Sequence, residues 1–279
     1  FNAGEVGFNK YKVKVSTVRD EININNNNYI FNMNIIKNKF KIAILTGAPS
    51  FNTRLIKLIL SNEPRYNIDH YINKFKFWDP LIANFWKKKY DLVILDNFPT
   101  SSISKRWSSD LGRKIKNENS SLALIPGNKT INNEIEPYLK LFGLNLYDSN
   151  SIYHDSTIYP IVSNNNINNN PLIMNQINWE SMPSISSQFD LKYDETGMYA
   201  PAFFNKSEFL NPIFLIGKNS SQYSRKFIIN SPSLWNLYFK SYDETLKRNL
   251  NNYFEEVFKW LVSISGEDNR YFRLSNKSS

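Results

Sequence analysis

The run 39–60, KFKIAILTGAPSFNTRLIKLIL, limits the fold more than any other stretch of the chain. Ile42-Ala43-Ile44-Leu45 is an apolar segment with β-branched residues, and it stops at Gly47-Ala48-Pro49-Ser50. Leu55, Ile56, Ile59 and Leu60 then recur at helical spacing. That is a strand, a tight turn and a helix: Ser50 is placed to cap the first turn, and Pro49, which has no N–H, ends the strand. Residues 90–96 (YDLVILD) repeat the buried-strand pattern and are followed by a helical pattern over 101–116. Residues 121–127 (SLALIPG) precede another over 131–142. Strands that are apolar without alternation are covered on both faces, and their alternation with helices predicts a three-layer α/β domain around a mostly parallel sheet. The strands at Ile42, Leu92 and Leu122 should be parallel neighbours at its centre.

The rest of the chain is read around that unit. Residues 1–37 contain two period-2 stretches, Tyr11, Val13, Val15 and Tyr29, Phe31, Met33, Ile35, joined by a polar connection. Two strands alone are marginal in water, so they are expected to be the last two strands of an immunoglobulin-like β-sandwich whose other strands lie upstream of Phe1. Within 38–265, Ile68 to Ile72 reads as a second strand and 78–89 as a helix. Gly143 is a helix stop. Residues 150–208, with Asn164 to Asn170 nearly pure asparagine and several prolines, read as irregular with short strands. Residues 212–216 and 226–229 read as an antiparallel pair added to the sheet edge. Leu246, Leu250, Tyr253, Phe254, Val257, Phe258 and Leu261 mark a closing amphipathic helix. Residues 266–279 read as the start of a following segment, with a strand beginning at Arg270.

Composition excludes some chemistry. With no cysteine there is no disulfide, thiolate metal site or Cys nucleophile. The formal charge of +9 comes from Lys+Arg 34 against Asp+Glu 25. Its lysines are scattered apart from Lys87-Lys88-Lys89, so no basic face is marked out for nucleic acid, which is not an expected partner. No apolar run approaches the ~20 residues that span a bilayer. The first residue, Phe1, is not a Met, which suggests an internal segment of a longer protein. Asn-x-Ser/Thr triplets at Asn119, Asn128, Asn205, Asn219 and Asn276 are what an Asn- and Ser-rich chain produces by chance.

Several stretches together resemble one family. They are 21–28 before a short strand, Ile42 through Ser50 followed by Arg54-Leu55, 90–99, 225–235 with its basic turn and Leu-Trp, and Phe258-Lys-Trp-Leu261. In this order they resemble the class I glutamine amidotransferase-like domains of large bacterial cell-envelope proteins, which often also carry von Willebrand factor A or immunoglobulin-like domains. The resemblance implies a flavodoxin-like α/β fold. It also implies a place in the cell envelope, outside the cytoplasm, with other domains of the chain or envelope proteins as partners, and with the membrane reached only through other segments. Catalytic members carry a Cys in a Gly-x-Cys-x-Gly elbow. Here the matching stretch is Leu124-Ile125-Pro126-Gly127-Asn128, where neither Pro126 nor Gly127 can attack a carbonyl, so the family's chemistry is not carried over.

Other candidates are few. A serine nucleophile needs a histidine base, and only His70 and His154 exist. His70 reads as structural, His154-Asp155 lies in the irregular region, and no Gly-x-Ser-x-Gly elbow is present. Glu134, Glu136, Asp243 and Glu244 fall at helix starts, where they complement the dipole rather than a metal. Gly47 to Ser50 matches no phosphate-loop pattern. Trp78, Phe85, Trp86, Trp235, Tyr238 and Phe239 could form a platform for a sugar or a partner, but most of them read as core and helix-packing aromatics. In an open α/β sheet a ligand would sit at the carboxyl ends of the strands. The candidate small-ligand residues are therefore Gly47, Ser50, Asp96, Asn97, Gly127, Asn128 and His154, with no cofactor, metal or catalytic residue assigned. The expectation is a non-catalytic scaffold or interaction module, against a degenerate hydrolase or amidase or a small polar ligand-binding domain.

Overall fold

A computed structural model describes residues 7–17, 19, 21, 27–35, 39–74, 77–100, 105–146, 155–156, 158–160, 181–194, 197–204, 210–218 and 225–263. Phe40–Ser263 forms one compact unit, and the described residues before Phe40 belong to another. In that first unit β1 (Gly7–Lys14) and β2 (Asn28–Ile35) pair antiparallel, with Tyr11 opposite Phe31 and Val13 opposite Tyr29. The Tyr11 and Phe31 rings stack at 5.5 Å. The two strands pair as a hairpin, and Val13 and Tyr29 on it are exposed. Among the described residues these two strands form a sheet of their own.

The larger unit contains, in chain order, β3 (Phe40–Thr46), α1 (Phe51–Ser61), β4 (Tyr66–Asn73), β5 (Trp78–Asp79), α2 (Ala83–Lys87), β6 (Leu92–Asp96), α3 (Lys105–Glu118), β7 (Ser121–Ile125) and α4 (Asn132–Phe142). Then follow the short strands β8 (Asn145–Leu146), β9 (Asp155–Ser156), β10 (Ile158–Pro160), β11 (Ile185–Ser186) and β12 (Leu191–Lys192). The longer β13 (Met198–Phe204), β14 (Asn211–Lys218) and β15 (Arg225–Ile229) lead to α5 (Trp235–Phe239) and α6 (Glu244–Val262). The main sheet runs β10-β13-β14-β15-β7-β6-β3-β4-β5. Its centre, β4, β3, β6, β7 and β15, is parallel throughout. Numbered along the chain, those five strands stand in the order 2-1-3-4-5, which is the flavodoxin-like arrangement. The strands at Ile42, Leu92 and Leu122 are adjacent and parallel, as their unbroken apolar runs imply.

Alternation along each strand supplies the two faces. Ile42 and Ile44 join Ile94, Phe214 and Phe227 beneath α1, α5 and α6, whereas Ala43 and Leu45 join Val93, Leu95, Leu122 and Leu124 beneath α2, α3 and α4. Ser50 and Thr53 form a reciprocal capping box at the start of α1, Asp243 caps α6, and Gly143 ends α4 at φ 80. Buried Arg225, at the start of β15, stacks 4.8 Å over the Trp260 ring and donates to the Trp260 carbonyl and the Ser263 hydroxyl, joining that strand to the end of α6.

Three expectations change. Residues 78–89 are not one helix: Trp78 and Asp79 extend β4's edge as β5, because the residue before Pro80 is pushed toward extended backbone, and only Ala83–Lys87 is helical. The β14–β15 pair is antiparallel but is not the edge, since β15 lies parallel beside β7, and β13 and β10 continue the sheet beyond β14. The region read as irregular holds the seven-residue β13. Pro201 hides this strand from a propensity reading, and the register shift between Tyr199 and Ala202 accommodates it. Helix α3 is described from Lys105, so the expected start at 101 lies outside the described residues, as do the segment 266–279 and most of 150–180.

Candidate functional site

The topological switch point lies between β3 and β6, where the strand order reverses, and Thr46 and Asp96 close these two strands as register partners. Both side chains are fully buried. Asp96 Oδ2 accepts hydrogen bonds from Thr46 Oγ1 at 2.9 Å and from Thr53 Oγ1 at 2.6 Å. Thr46 Oγ1 is also 2.8 Å from His70 Nε2. A hydroxyl has one proton, and Thr46 gives it to Asp96, so the His70 nitrogen is the donor of that contact and carries the hydrogen. Thr53 Oγ1 in turn accepts from the Ser50 amide at 2.9 Å. A line of hydrogen bonds thus leads from His70 on β4 through Thr46 to Asp96 and back through Thr53 to Ser50.

Asp96 Oδ1 has no hydrogen-bond partner among the described residues. Burial raises its carboxyl to about 6, and the Thr53 and Thr46 donors only partly offset that. His70 is pushed the other way, to about 4, by burial and by the nearby Lys57 charge. The neutral imidazole fits its place as a donor to a hydroxyl.

A second set of bonds closes the turns. Asn97 takes a left-handed φ of 44, which asparagine tolerates, and this turns its side chain across the crevice. Its Nδ2 donates to the Ala48 carbonyl at 2.7 Å. Its Oδ1 accepts from the Lys129 amide at 3.1 Å and, more weakly, from the Thr130 hydroxyl at 3.4 Å. The Gly47 amide donates to the Asp96 carbonyl at 3.0 Å, and Thr100 Oγ1 donates to the Gly47 carbonyl at 3.2 Å. Both glycines are required by proximity: a Cβ on Gly47 would lie 2.3 Å from the Asn97 carbonyl oxygen, and one on Gly127 would lie 2.5 Å from Asn97 Cγ.

Of the residues expected from sequence, Gly47, Asp96, Asn97 and Gly127 meet at one point, and Ser50 reaches Asp96 through Thr53. Asn128 is exposed in the turn beyond Gly127. His154 lies outside the described residues. His70, Thr46 and Thr53 were not among the candidates, although one signal marked two partners: Thr46 and Asp96 are the polar residues that terminate otherwise apolar strands. Chemically, the arrangement places two hydroxyl donors on Asp96, and among the described residues the crevice hydroxyls are all drawn into these bonds. Thr46 is buried with its hydroxyl engaged on both sides, and Ser50 Oγ accepts the Thr53 amide as a helix cap at 3.3 Å. Among the described residues no group of three His, Cys, Asp or Glu side chains could hold a metal ion, and no helix is long and apolar enough to cross a membrane.

The aromatic expectation divides. Phe85 is fully buried and Trp86 packs edge-on against Trp107 at 5.3 Å, but Phe239 is exposed and meets Phe51 at 6.4 Å outside the core.

No protein-family model matches the chain, and comparison with curated proteins finds no match. Among solved structures, the chain is similar to a Thermoplasma acidophilum protein provisionally described as one of the subunits of GMP synthase. The two are 8% identical with a TM-score of 0.41, over 79% of this chain and 98% of that one.

Proposed function

We propose that the domain is a non-catalytic amidotransferase-like scaffold or interaction module of a cell-envelope protein, working through other domains of its chain or other envelope proteins. The observation that carries this is the Asn97 side chain. It fills the space beside Gly127, where the resemblance would place a nucleophile, and its amide nitrogen and oxygen bond to the two turns that flank it, at Ala48 and at Lys129–Thr130. A reacting group at Gly127 would need room, and the Asn97 side chain occupies the space beside it. The envelope setting rests on the family resemblance.

The test is turnover by the purified protein of glutamine, a nitrophenyl ester and a simple amide. We expect no release of ammonia or nitrophenol above buffer. Turnover that His154→Ala or Asp96→Asn abolishes would overturn the reading in favour of a degenerate hydrolase. The unpartnered Asp96 Oδ1 favours a second reading, a small polar ligand donating to that oxygen. A melting-temperature rise with glutamine or ammonium that Asp96→Asn removes would establish it. Fractionation of the source cells tests the location, and recovery in the cytoplasmic fraction would remove the envelope part.

A further inference from the structure

Beside the crevice, the first turn of α1 and the short helix α5 bring together a row of rings, of which Phe51 and Phe239 are exposed and Trp235 is half-buried. Phe51, the first residue of α1, is 55% exposed, and its ring lies 4.8 Å from Trp235 and 6.4 Å from Phe239. Isolated exposed apolar side chains need no explanation, but three abutting rings with a cation at each end do. Arg54 lies 5.4 Å over the Phe239 ring and Lys240 lies 5.1 Å over the Trp235 ring. Neither cation forms an ion pair with a carboxylate among the described residues. The nearby acids are occupied, since Asp243 accepts the Thr245 and Leu246 amides and Glu244 pairs with Lys247 at 2.6 Å.

The backing of this strip is rigid. Buried Asn52 donates to the Ser231 and Pro232 carbonyls at 3.1 and 3.2 Å and accepts the Trp235 amide at 2.9 Å, which locks the start of α1 to the start of α5. A preformed surface binds with little ordering cost. Helix α1 does not need an aromatic at position 51, because its first turn is already closed by the Ser50–Thr53 box.

Building on the interaction-module reading, we infer that the strip Arg54, Phe239, Phe51, Trp235, Lys240 docks an acidic segment of a partner protein, an aromatic or aliphatic anchor seated on the rings with carboxylates meeting the two cations. Charge complementarity selects the occupant: the apolar centre is bounded by two unpaired cations, and so short a row of rings suits a peptide anchor rather than a bilayer face.

The test selects displayed random peptides on the intact chain, with counter-selection on a Phe51→Ser, Arg54→Glu, Lys240→Glu triple variant, and measures a synthetic copy of the enriched peptide by fluorescence anisotropy. Expected are peptides rich in Asp and Glu around a large apolar residue. Their binding should weaken roughly tenfold with Phe51→Ser, and again with the paired charge reversals, and should fall as salt is raised. Circular dichroism and the urea midpoint of each variant should match the parent. Failure to enrich any peptide, enrichment without acidic residues, or binding that survives the triple variant would overturn the inference. So would preferential binding to phosphatidylglycerol vesicles or cello-oligosaccharides. If the strip fails while the protein stays inert toward glutamine and esters, the module reading stands without this surface. If turnover appears, that reading falls whatever the strip binds.

Discussion

The crevice at Asp96 and Asn97 and the strip at Phe51 share the first turn of α1, the crevice through Ser50 and Thr53 and the strip through Phe51 and Arg54, yet they use their chemistry in opposite ways. The crevice is rich in donors and acceptors, and nearly all of them are buried and satisfied by one another. The strip is poor in polarity: Phe51 and Phe239 are exposed, and among the described residues Arg54 and Lys240 meet rings rather than carboxylates. Polarity alone is therefore a poor guide to where a partner could bind, because a group already hydrogen-bonded inside the fold has little left to offer. The informative residues are those whose needs the fold leaves open: Asp96 Oδ1 on one side, and Phe51, Arg54 and Lys240 on the other.

The sharpest break of this contrast is Gly47→Ala. The new methyl would meet a backbone oxygen that cannot rotate away, so urea unfolding should show a loss of about 3 kcal/mol, at the upper end of overpacking. A smaller loss would mean that the turns yield more easily than their bonds suggest.

The next tests protonation. Asp96 is held at about 6 against an ordinary 3.8, so the native state binds this proton more tightly than the unfolded chain, and its contribution to stability falls as pH rises between those values. Asp96→Asn removes that dependence. Relative to the parent, its stability should climb by about 3 kcal/mol as pH is raised across that interval. His70 runs oppositely: held at about 4 against 6.5, it loses stability as pH falls through that range. His70→Gln should remove this loss, with a smaller effect because the ring is partly solvated. Denaturant titrations of both variants at several pH values would check the two signs, and a flat difference would show that the group titrates as it does in the unfolded chain.

Gly127→Ala should cost about 2 kcal/mol, since the obstruction is the Asn97 side chain rather than backbone. In an Asn97→Gly background the same change should cost less than half as much, and that coupling, measured as a double-mutant cycle, isolates the contact. Additive losses would mean that the two do not touch. The smallest effect belongs to the strip, where Phe51→Ser should change stability by less than about 0.5 kcal/mol, as expected of an exposed position. A large loss would make Phe51 structural and weaken its claim as a docking residue.

Much of the fold could be read in advance because its signals are local. The runs at Ile42, Leu92 and Leu122 lack alternation, and only a strand covered on both faces needs that pattern. Ser50 and Gly143 likewise marked helix ends through backbone needs confined to one turn. β13 was missed because Pro201 argues against a strand and its register shift depends on β14. The helix expected over 78–89 failed because Pro80 pushes Asp79 toward extended backbone, and Trp78 and Asp79 pair with β4 instead. For the crevice, position at the strand ends pointed to Gly47, Asp96, Asn97 and Gly127. Nothing in an asparagine-rich chain distinguished Asn97 as the residue that would close it.

By itself, then, the sequence determined the central parallel strands and the apolar faces of the long helices, since periodicity and capping act within a few residues. Only the tertiary structure decided that Thr46 and Asp96 end side by side, that Asp96 keeps one oxygen unpaired, that His70 joins it through Thr46, and that Phe51 meets Trp235 in the open. Each of these depends on segments far apart in the chain. Burial and hydrogen-bond satisfaction belong to the neighbourhood a residue acquires when the sheet assembles, and identical residues elsewhere in the chain acquire different ones.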